Sequence, residues 1–223
     1  MATRIINPAP PNLPLGTDQY DRRYQDQYSN VLRLYFNQLR NALGELFLNE
    51  GGRFLSFPHI AASDDQNQYA TAANTPTIVQ WNSLDSGGGF TLNSNYTATA
   101  QYSGIYKITY SLQFANSDNA QHDATVWLTN NSNAVTESAT IFSVQARKSA
   151  GVYTYVCGYS HVTFSVNAGD TISLVWATDK GATANASADG IYIEALPASV
   201  SPFSRPSVPA AIGTIQFVSA PVS

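Results

Sequence analysis

Gly104-Ile105-Tyr106-Lys107-Ile108-Thr109-Tyr110-Ser111-Leu112-Gln113-Phe114 is the stretch of sequence that decides the fold. Large apolar side chains occupy every second position from Tyr106 to Phe114, and polar side chains occupy the positions between them. This period of two is that of a strand with one face in a core and the other toward solvent. Residues 170–177 repeat the pattern, so the region predicts a β-sheet structure.

Six further segments have the same strand-like composition. They are residues 77–82, 95–102, 122–130, 135–146, 151–166 and 188–195. Turn-rich breaks separate several of them, at residues 85–89, 117–119, 130–133 and 179–181. About eight strands with no helix between them predict a mainly β fold, which is a sandwich, a barrel or a jelly roll.

The segment 151–166 is the most informative of these strands. A conventional core face is formed by Val152, Val156, Val162, Phe164 and Val166. The opposite face carries Tyr153, Tyr155, Cys157, Tyr159 and His161. That face is too aromatic for an ordinary solvated surface, and such a row usually packs against something. We expect a neighbouring subunit there, with a ligand groove as the alternative.

Residues 17–52 give the one strong helix signal and form a predicted stalk. Thr17 or Asp18 is a suitable N-cap, and Gly51-Gly52 is a suitable stop. Apolar residues alternate at spacings of 4 and 3, as in the seam of a coiled coil. The seam consists of Tyr28, Leu32, Tyr35, Leu39, Ala42 and Leu46. Bulky residues beside it favour a bundle of three chains over a helix packed on its own β domain.

Prolines mark both ends of the chain. Residues 1–16 contain Pro8, Pro10, Pro11 and Pro14, which predict an extended arm. The arm either folds back on its own domain or anchors the chain on another protein. Residues 53–75 form a predicted connector and residues 76–196 the predicted head. The proline-rich tail, 197–223, disfavours a long central strand, although residues 213–218 have the pattern of an edge strand.

Charged residues are scarce and unevenly spread. They make up 12% of the chain, against about 25% in typical soluble domains. Residues 1–53 carry 11 of the 26 charges, leaving 15 for the following 170 residues. A β region so poor in charge indicates coverage by other subunits, or a surface solvated by Asn, Ser and Thr.

Charge and hydropathy also exclude two classes of partner. The net charge of −4 argues against nucleic-acid binding, which requires a basic face. The sequence has no apolar run of 18 residues and no signal-peptide pattern, so we expect neither a membrane span nor export by a leader. Cys157 is the single cysteine, which excludes an intrachain disulfide and agrees with assembly in a reducing cytoplasm.

No pattern predicts catalysis, a cofactor or a metal site. His59, His122 and His161 are far apart and have no acidic residue at a motif spacing, and residues 158–161 lack the nucleophile elbow of hydrolases. Scattered acids supply the raw material for a carboxylate pair or a calcium site, but without a motif spacing. They include Asp64, Asp65, Asp118, Asp123, Asp170, Asp189 and Glu194. We therefore expect a non-enzymatic protein.

Three segments of the β region belong to one recognisable set. They are Gly104-Ile105-Tyr106 with its alternating strand, the run 166–174, and Asp189-Gly190-Ile191-Tyr192-Ile193. Together they resemble the C1q/TNF-like jelly roll over roughly residues 77–196. The resemblance implies a jelly-roll β-sandwich that forms a compact trimer around an aromatic-lined three-fold interface. Animal members are secreted and carry collagen or a membrane stalk, neither of which is present here, so receptor signalling is not implied.

The N-terminal run from Pro11-Asn12-Leu13-Pro14 through Tyr28 to Leu39 is similar to the start of structural proteins from tailed bacteriophages, particularly of cyanobacteria and marine bacteria. The resemblance implies a virion protein that docks on tail or capsid proteins through residues 1–16. The hypothesis is a trimeric tail fibre or spike whose head contacts a host-surface glycan or protein. The alternative is a capsid decoration, cement or head-fibre protein that stabilises the shell.

Overall fold

The computed structural model describes residues 11–13, 19, 21–47, 57–183 and 189–220, with helix side chains described up to residue 41. The chain divides into two compact units, Met1–Ser56 and Phe57–Ser223. The predicted head of residues 76–196 is therefore too short, because the β unit also includes most of the predicted connector and the predicted tail. Among the described residues, no helix combines the length and apolar character needed to cross a membrane.

The first unit contains helix α1 (Arg22–Phe47). Asp21 begins it: the Arg23 amide donates to Asp21 Oδ1 at 2.8 Å, and the Gln25 amide donates to the Asp21 carbonyl at 3.1 Å. This is the bonding of an N-cap. The predicted cap at Thr17 or Asp18 is wrong, because the helix begins at Arg22 and Asp21 supplies the capping carboxylate. The predicted stop at Gly51-Gly52 lies outside the described residues.

The described part of the second unit contains fourteen strands. They are β1 (His59–Asp64), β2 (Gln68–Tyr69), β3 (Thr77–Ile78), β4 (Ser83–Gly88), β5 (Phe90–Leu92), β6 (Ala98–Ala100), β7 (Gly104–Asn116), β8 (His122–Asn130), β9 (Asn133–Ala134), β10 (Thr140–Val144), β11 (Thr154–Val166), β12 (Thr171–Thr178), β13 (Ile191–Ile193) and β14 (Ala211–Ser219).

Antiparallel pairing arranges these strands in two sheets. The first sheet has β4, β1, β14, β7 and β11 side by side, with β13 beside the last residues of β7 and β2 beyond it. The second sheet runs β10-β8-β12-β6-β5. Along the chain the strands from β6 to β13 alternate between the two sheets, except that β8, β9 and β10 all lie in the second sheet; β14 then lies in the same sheet as β13. This connectivity is that of a jelly roll, which confirms the predicted mainly β jelly-roll sandwich.

The core lies between the two sheets. The inward positions of β7, from Tyr106 to Phe114, are all buried, and Trp176 of β12 meets Phe114 with ring centroids 6.0 Å apart. The opposite positions of β7 face outward and are partly exposed up to Gln113. β7 therefore has the two faces that its period of two assigns, whereas β12 is buried on both faces from Ile172 to Trp176.

Two predicted boundaries are wrong. β1 lies inside the predicted connector, where its inward residues are Ile60, Ala62 and Asp64. A small residue and a carboxylate do not give the apolar alternation that marks a strand. β14 lies inside the predicted tail and is an interior strand, paired with β1 on one side and β7 on the other. It keeps its amide donors because the prolines stop at Pro209 and resume at Pro221.

A smaller correction concerns residues 77–89. The predicted strand 77–82 is reduced to β3, and most of the predicted break at 85–89 belongs to β4. Gly89 makes the turn into β5 with a φ of 76°, a conformation that favours glycine. Gly87 and Gly88 instead extend the edge of the sheet beside β1.

Candidate interface on the outer face of the first sheet

Strand β11 places its aromatic row on the outer face of the first sheet. Tyr155 is 48% exposed and Tyr159 57% exposed, and Cys157 and His161 are exposed between and beyond them. The alternate positions from Val156 to Val166 face the core. Val152 differs from the prediction: it lies before the strand, is exposed, and pairs with Ser149 in an isolated bridge around Gly151.

Small neighbours leave these rings uncovered. In the register with β7, Tyr155 lies opposite Ala115, Tyr159 opposite Ser111 and His161 opposite Thr109. Cys157 Sγ is 3.2 Å from Ser111 Oγ, so the thiol also rests against a small side chain. Ile212, on the next strand β14, is paired with Ser111 and is 44% exposed. The result is an exposed shelf of aromatic and aliphatic surface.

Tyr153 has a different environment from the rest of the predicted row. Its ring meets that of Tyr192 edge-on, with centroids 6.3 Å apart, and Tyr192 stacks on Tyr69 at 5.3 Å. Ala115 and Ala182 complete this small apolar cluster. Sequence reasoning missed the contact between Tyr69 and Tyr192, because strands β2 and β13 bring them together from distant parts of the chain, and the strand pattern around Tyr192 does not identify its partner.

Glu194 lies beside these tyrosines. Its amide donates to the Gln113 carbonyl at 2.8 Å, and the Tyr192 hydroxyl donates to Glu194 Oε1 at 2.9 Å. The other carboxylate oxygen, Oε2, is buried and has no hydrogen-bond partner among the described residues. Burial, reinforced by the Glu194 charge, raises the pKa of Tyr155 to about 12 and also raises that of Tyr192. The cluster is thus an aromatic surface with one embedded negative charge.

A second polar cluster joins the loop after β7 to the end of β12. His122 Nε2 is 2.8 Å from Asp118 Oδ2, and His122 Nδ1 is 3.1 Å from Asp179 Oδ2. Lys180 Nζ also donates to Asp118 Oδ2, at 2.7 Å. Lys180 and then His122 hold the pKa of Asp118 well below its usual range. Burial alone would lower the pKa of His122, but Asp118 and Asp179 outweigh it and raise that pKa.

Sequence reasoning treated His122 as an isolated histidine. The signal that it missed is the separation of four residues between Asp118 and His122, which a short loop before a strand brings into contact. The side chains of His122 and Lys180 pair with carboxylates of this cluster, and Asp179 Oδ1 also accepts from the Asp123 amide at 3.1 Å, so the arrangement is that of a structural clasp. We call these four residues, Asp118, His122, Asp179 and Lys180, the clasp.

The other candidate residues for chemistry are dispersed. His59 Nδ1 meets the Phe57 carbonyl at 2.8 Å, and Asp170 accepts the side-chain amides of Asn130 and Asn131. Asp189 pairs with Arg147 at 2.9 Å. In the part of the chain that the structure describes, no three His, Cys, Asp or Glu side chains are grouped as metal ligands.

The predicted stalk and anchor are described in part. On α1, Tyr28, Leu32, Tyr35 and Leu39 lie on one partly exposed stripe, and Tyr24 stacks on Tyr28 at 6.1 Å. The side chains of Ala42 and Leu46 lie outside the described residues, as do Pro8, Pro10 and Pro14. Pro11 is partly exposed and belongs to no helix or strand. The coiled-coil seam and the anchor therefore stay predictions.

No protein-family model matches the sequence, and no curated protein matches it in a sequence search. Among solved structures, the chain is similar to Eiger TNF from S. frugiperda, with a TM-score of 0.45 and 12% identity, over 75% of this chain and 97% of that one. It is also similar to murine APRIL, with a TM-score of 0.43 and 15% identity, over 73% of this chain and 100% of that one. The fold assignment rests on the strand order itself.

Proposed function

We propose that the chain is a non-enzymatic, homotrimeric structural protein of a bacteriophage particle. Its N-terminal segment docks on the particle, α1 contributes to trimer formation, and the jelly-roll head is displayed for host attachment as part of a tail fibre or spike. The observation that carries the proposal is the aromatic shelf on the outer face of the first sheet. The assignment to a virion rests on the N-terminal resemblance, and the shortage of charge in the β unit agrees with it.

The shelf has enough area to matter for association. A tyrosine side chain buries roughly 150–250 Å², and about half of Tyr155 and of Tyr159 is still exposed. Covering both would remove roughly 200 Å² from water, a gross gain of about 5 kcal/mol at ~25 cal/mol per Å². Ile212 adds to this area. This gain is at the low end of the roughly 4–15 kcal/mol that association costs in lost translational and rotational freedom, so the shelf favours a trimer in combination with the stripe on α1.

Helix α1 supports the same assembly. Tyr28, Leu32, Tyr35 and Leu39 recur at heptad spacing and are partly exposed on one stripe. Packing the stripes of three copies against one another would bury these side chains. Two separated apolar surfaces in one chain, both suited to copies of the same chain, favour a trimer held at the head and at the stalk.

The oligomer is tested by light scattering coupled to size-exclusion chromatography. We expect a trimer for the unmodified protein, and weakened association for the variant with both Tyr155→Ser and Tyr159→Ser. Ile141→Ser is the matched control, because Ile141 is 66% exposed on the second sheet, away from the shelf. Leu32→Asp with Leu39→Asp tests the stalk. A monomeric parent protein at micromolar concentration would refute the trimer.

The location on the particle needs a separate experiment. Quantitative mass spectrometry of purified virions should find the protein at a copy number typical of tail components. A capsid-scale copy number would favour the decoration protein instead, and absence from virions would refute both. Deleting residues 1–16 should abolish incorporation while the soluble oligomer persists.

Incubation with host polysaccharide should leave the polysaccharide intact; its cleavage would contradict the non-enzymatic assignment.

A further inference from the structure

The carboxylate of Glu194 is poorly compensated within its own chain. Tyr192 donates to Oε1, whereas Oε2 is buried and has no well-formed hydrogen bond among the described residues; the nearby Tyr155 hydroxyl interacts with this carboxylate but carries no positive charge. Burying a charge is costly unless it is paired and hydrogen-bonded. The tyrosines at this position add to the negative character, since the faces of aromatic rings attract cations. This surface therefore suits a cationic group and disfavours an anionic or purely apolar one.

We propose that Glu194, with Tyr153, Tyr155 and Tyr192, receives the ammonium group of Lys148 from a neighbouring copy of the chain. This inference rests on the proposed trimer and names the polar contact that fixes its register. A cation seated over the Tyr155 ring would be attracted by the ring face and by the carboxylate beside it. The neighbour would then complete the electrostatic environment that one copy leaves incomplete.

Lys148 is chosen by elimination among the basic residues of the β unit. Arg147 pairs with Asp189 and Lys180 with Asp118, while the Arg205 guanidinium donates to the carbonyls of Pro197 and Pro206. These three are occupied within the chain. Lys107 and Lys148 are the two remaining basic residues after position 53.

Lys107 and Lys148 differ in where they lie on the β unit. Lys107 lies in the middle of the outer face, partly buried between Thr163 and Gln216. Lys148 is exposed, just before the turn that leads into Tyr153 and the edge strand β11. In a closed ring of three copies, the contact is heterologous, so an edge of one copy meets a face of the next. Lys148 is on the edge and Glu194 on the face, at the same end of the sandwich.

The test is a double-mutant cycle on trimer dissociation, measured by sedimentation equilibrium of the full chain. Glu194→Gln and Lys148→Met should each weaken the trimer by about tenfold or more, because each leaves one charge without its partner. The double variant should be no weaker than the weaker single variant. Lys107→Met is the matched control, and its effect should be additive with that of Glu194→Gln.

A charge exchange keeps the test independent of folding defects. Glu194→Lys and Lys148→Glu should each dissociate the trimer, and the two together should restore it. Additive effects, or no recovery in the exchanged pair, would overturn the inference while leaving the trimer intact. A monomeric parent protein would instead refute the proposed trimer. Saturable binding of N-acetyl-lysine methylamide by the assembled trimer would show that the Glu194 site is open, which also overturns the contact with Lys148.

Discussion

His122 is held by two carboxylates, and this geometry favours the protonated imidazolium. Nε2 lies 2.8 Å from Asp118 Oδ2, and Nδ1 lies 3.1 Å from Asp179 Oδ2. A neutral imidazole has one N–H and can donate to one of these oxygens, whereas an imidazolium donates to both. We therefore expect His122→Asn to remove one charge-assisted contact fully and to weaken the clasp between the loop after β7 and the end of β12.

The magnitude follows from the burial of each partner. A hydrogen bond to a charged group contributes roughly 1.5–3 kcal/mol. The side chains of His122 and Asp118 are 12% and 10% exposed, so solvent screening reduces the free energy of their contact only slightly. Asp179 is 50% exposed, and solvent screening reduces its contribution. Asp118 keeps Lys180 in the variant, so it is not left unpaired. The expected loss of unfolding free energy is about 2 kcal/mol at pH 6.

The loss of unfolding free energy in His122→Asn should become smaller as the pH rises. The pKa of His122 is raised in the folded state, so its contribution is fully present below the unfolded value of roughly 6.5 and is lost as pH rises through the folded value. The lowered pKa of Asp118 acts oppositely: its contribution is present above roughly 3.9 and is lost as pH falls. The difference between parent and variant should thus be largest near pH 6 and should narrow toward pH 9.

Urea denaturation followed by tryptophan fluorescence, from pH 5.5 to 9.5 at one protein concentration, measures this difference. The concentration is fixed because subunit association also contributes to the apparent stability. His59→Asn is the control, since the His59 ring meets the Phe57 carbonyl instead of a carboxylate. A difference that does not change with pH, or an equal pH dependence in the control, would refute the doubly bonded imidazolium.

Three further predictions concern packing and one loop. Gly158→Ala should lower the unfolding free energy by about 1–3 kcal/mol, because the added Cβ would lie 2.7 Å from Phe114 Cε2. Urea titration measures this loss. Ser165→Ala, on the exposed face of the same strand, is the control and should have little effect. Gly213→Ala should be destabilising by a similar amount, since its Cβ would meet Trp81 Cη2 at 2.7 Å, and the effect should shrink in a Trp81→Leu background, as a double-mutant cycle would show. Arg205→Ala should remove the hydrogen bonds to the Pro197 and Pro206 carbonyls. Amide hydrogen exchange at positions 199 and 205 should then become about fivefold faster, which corresponds to about 1 kcal/mol. Unchanged exchange would mean that the backbone pairs alone hold this loop.

The strands that sequence predicted correctly are those that alternate strongly. β7 has a large apolar residue at every second position from Tyr106 to Phe114, and β8, β11 and β12 each keep at least three apolar residues at alternate positions, which makes the period of two visible. β1 is hidden because its inward face carries Ala62 and Asp64. The Asp64 carboxylate is accommodated by Gln68, whose Nε2 donates to it at 2.5 Å. The fold supplies that partner, so no local pattern predicts a buried carboxylate in this strand.

The sequence predicted the site residues that lie along β11 but missed those that other strands contribute. The positions of Tyr155, Tyr159 and His161 follow from the period of β11 alone. The partners of Tyr153 depend on register, since Tyr155 and Tyr192 both lie opposite Ala115. Register between strands more than thirty residues apart has no local signal. For the same reason Glu194 looked like one scattered acid among several, although it lies beside Gln113 in the sheet.

The distribution of charge within the β unit explains why its outer face suits burial. Three basic side chains, His122, Lys180 and Arg147, compensate the carboxylates of Asp118, Asp179 and Asp189 at one end of the sandwich, through contacts of 2.7–3.1 Å. Arg147 and Lys180 are used in this way, and the aromatic shelf itself contains neither arginine nor lysine, so the shelf can be desolvated at little electrostatic cost. Glu194 breaks this arrangement, because a carboxylate in such a face would oppose burial unless a cation met it. A pair buried between copies is screened weakly by salt, so the trimer affinity should change little between 0.05 and 0.5 M NaCl at neutral pH, where the Debye length falls from roughly 14 to 4 Å. A strong loss of affinity over that range would place the cation at an exposed rim instead.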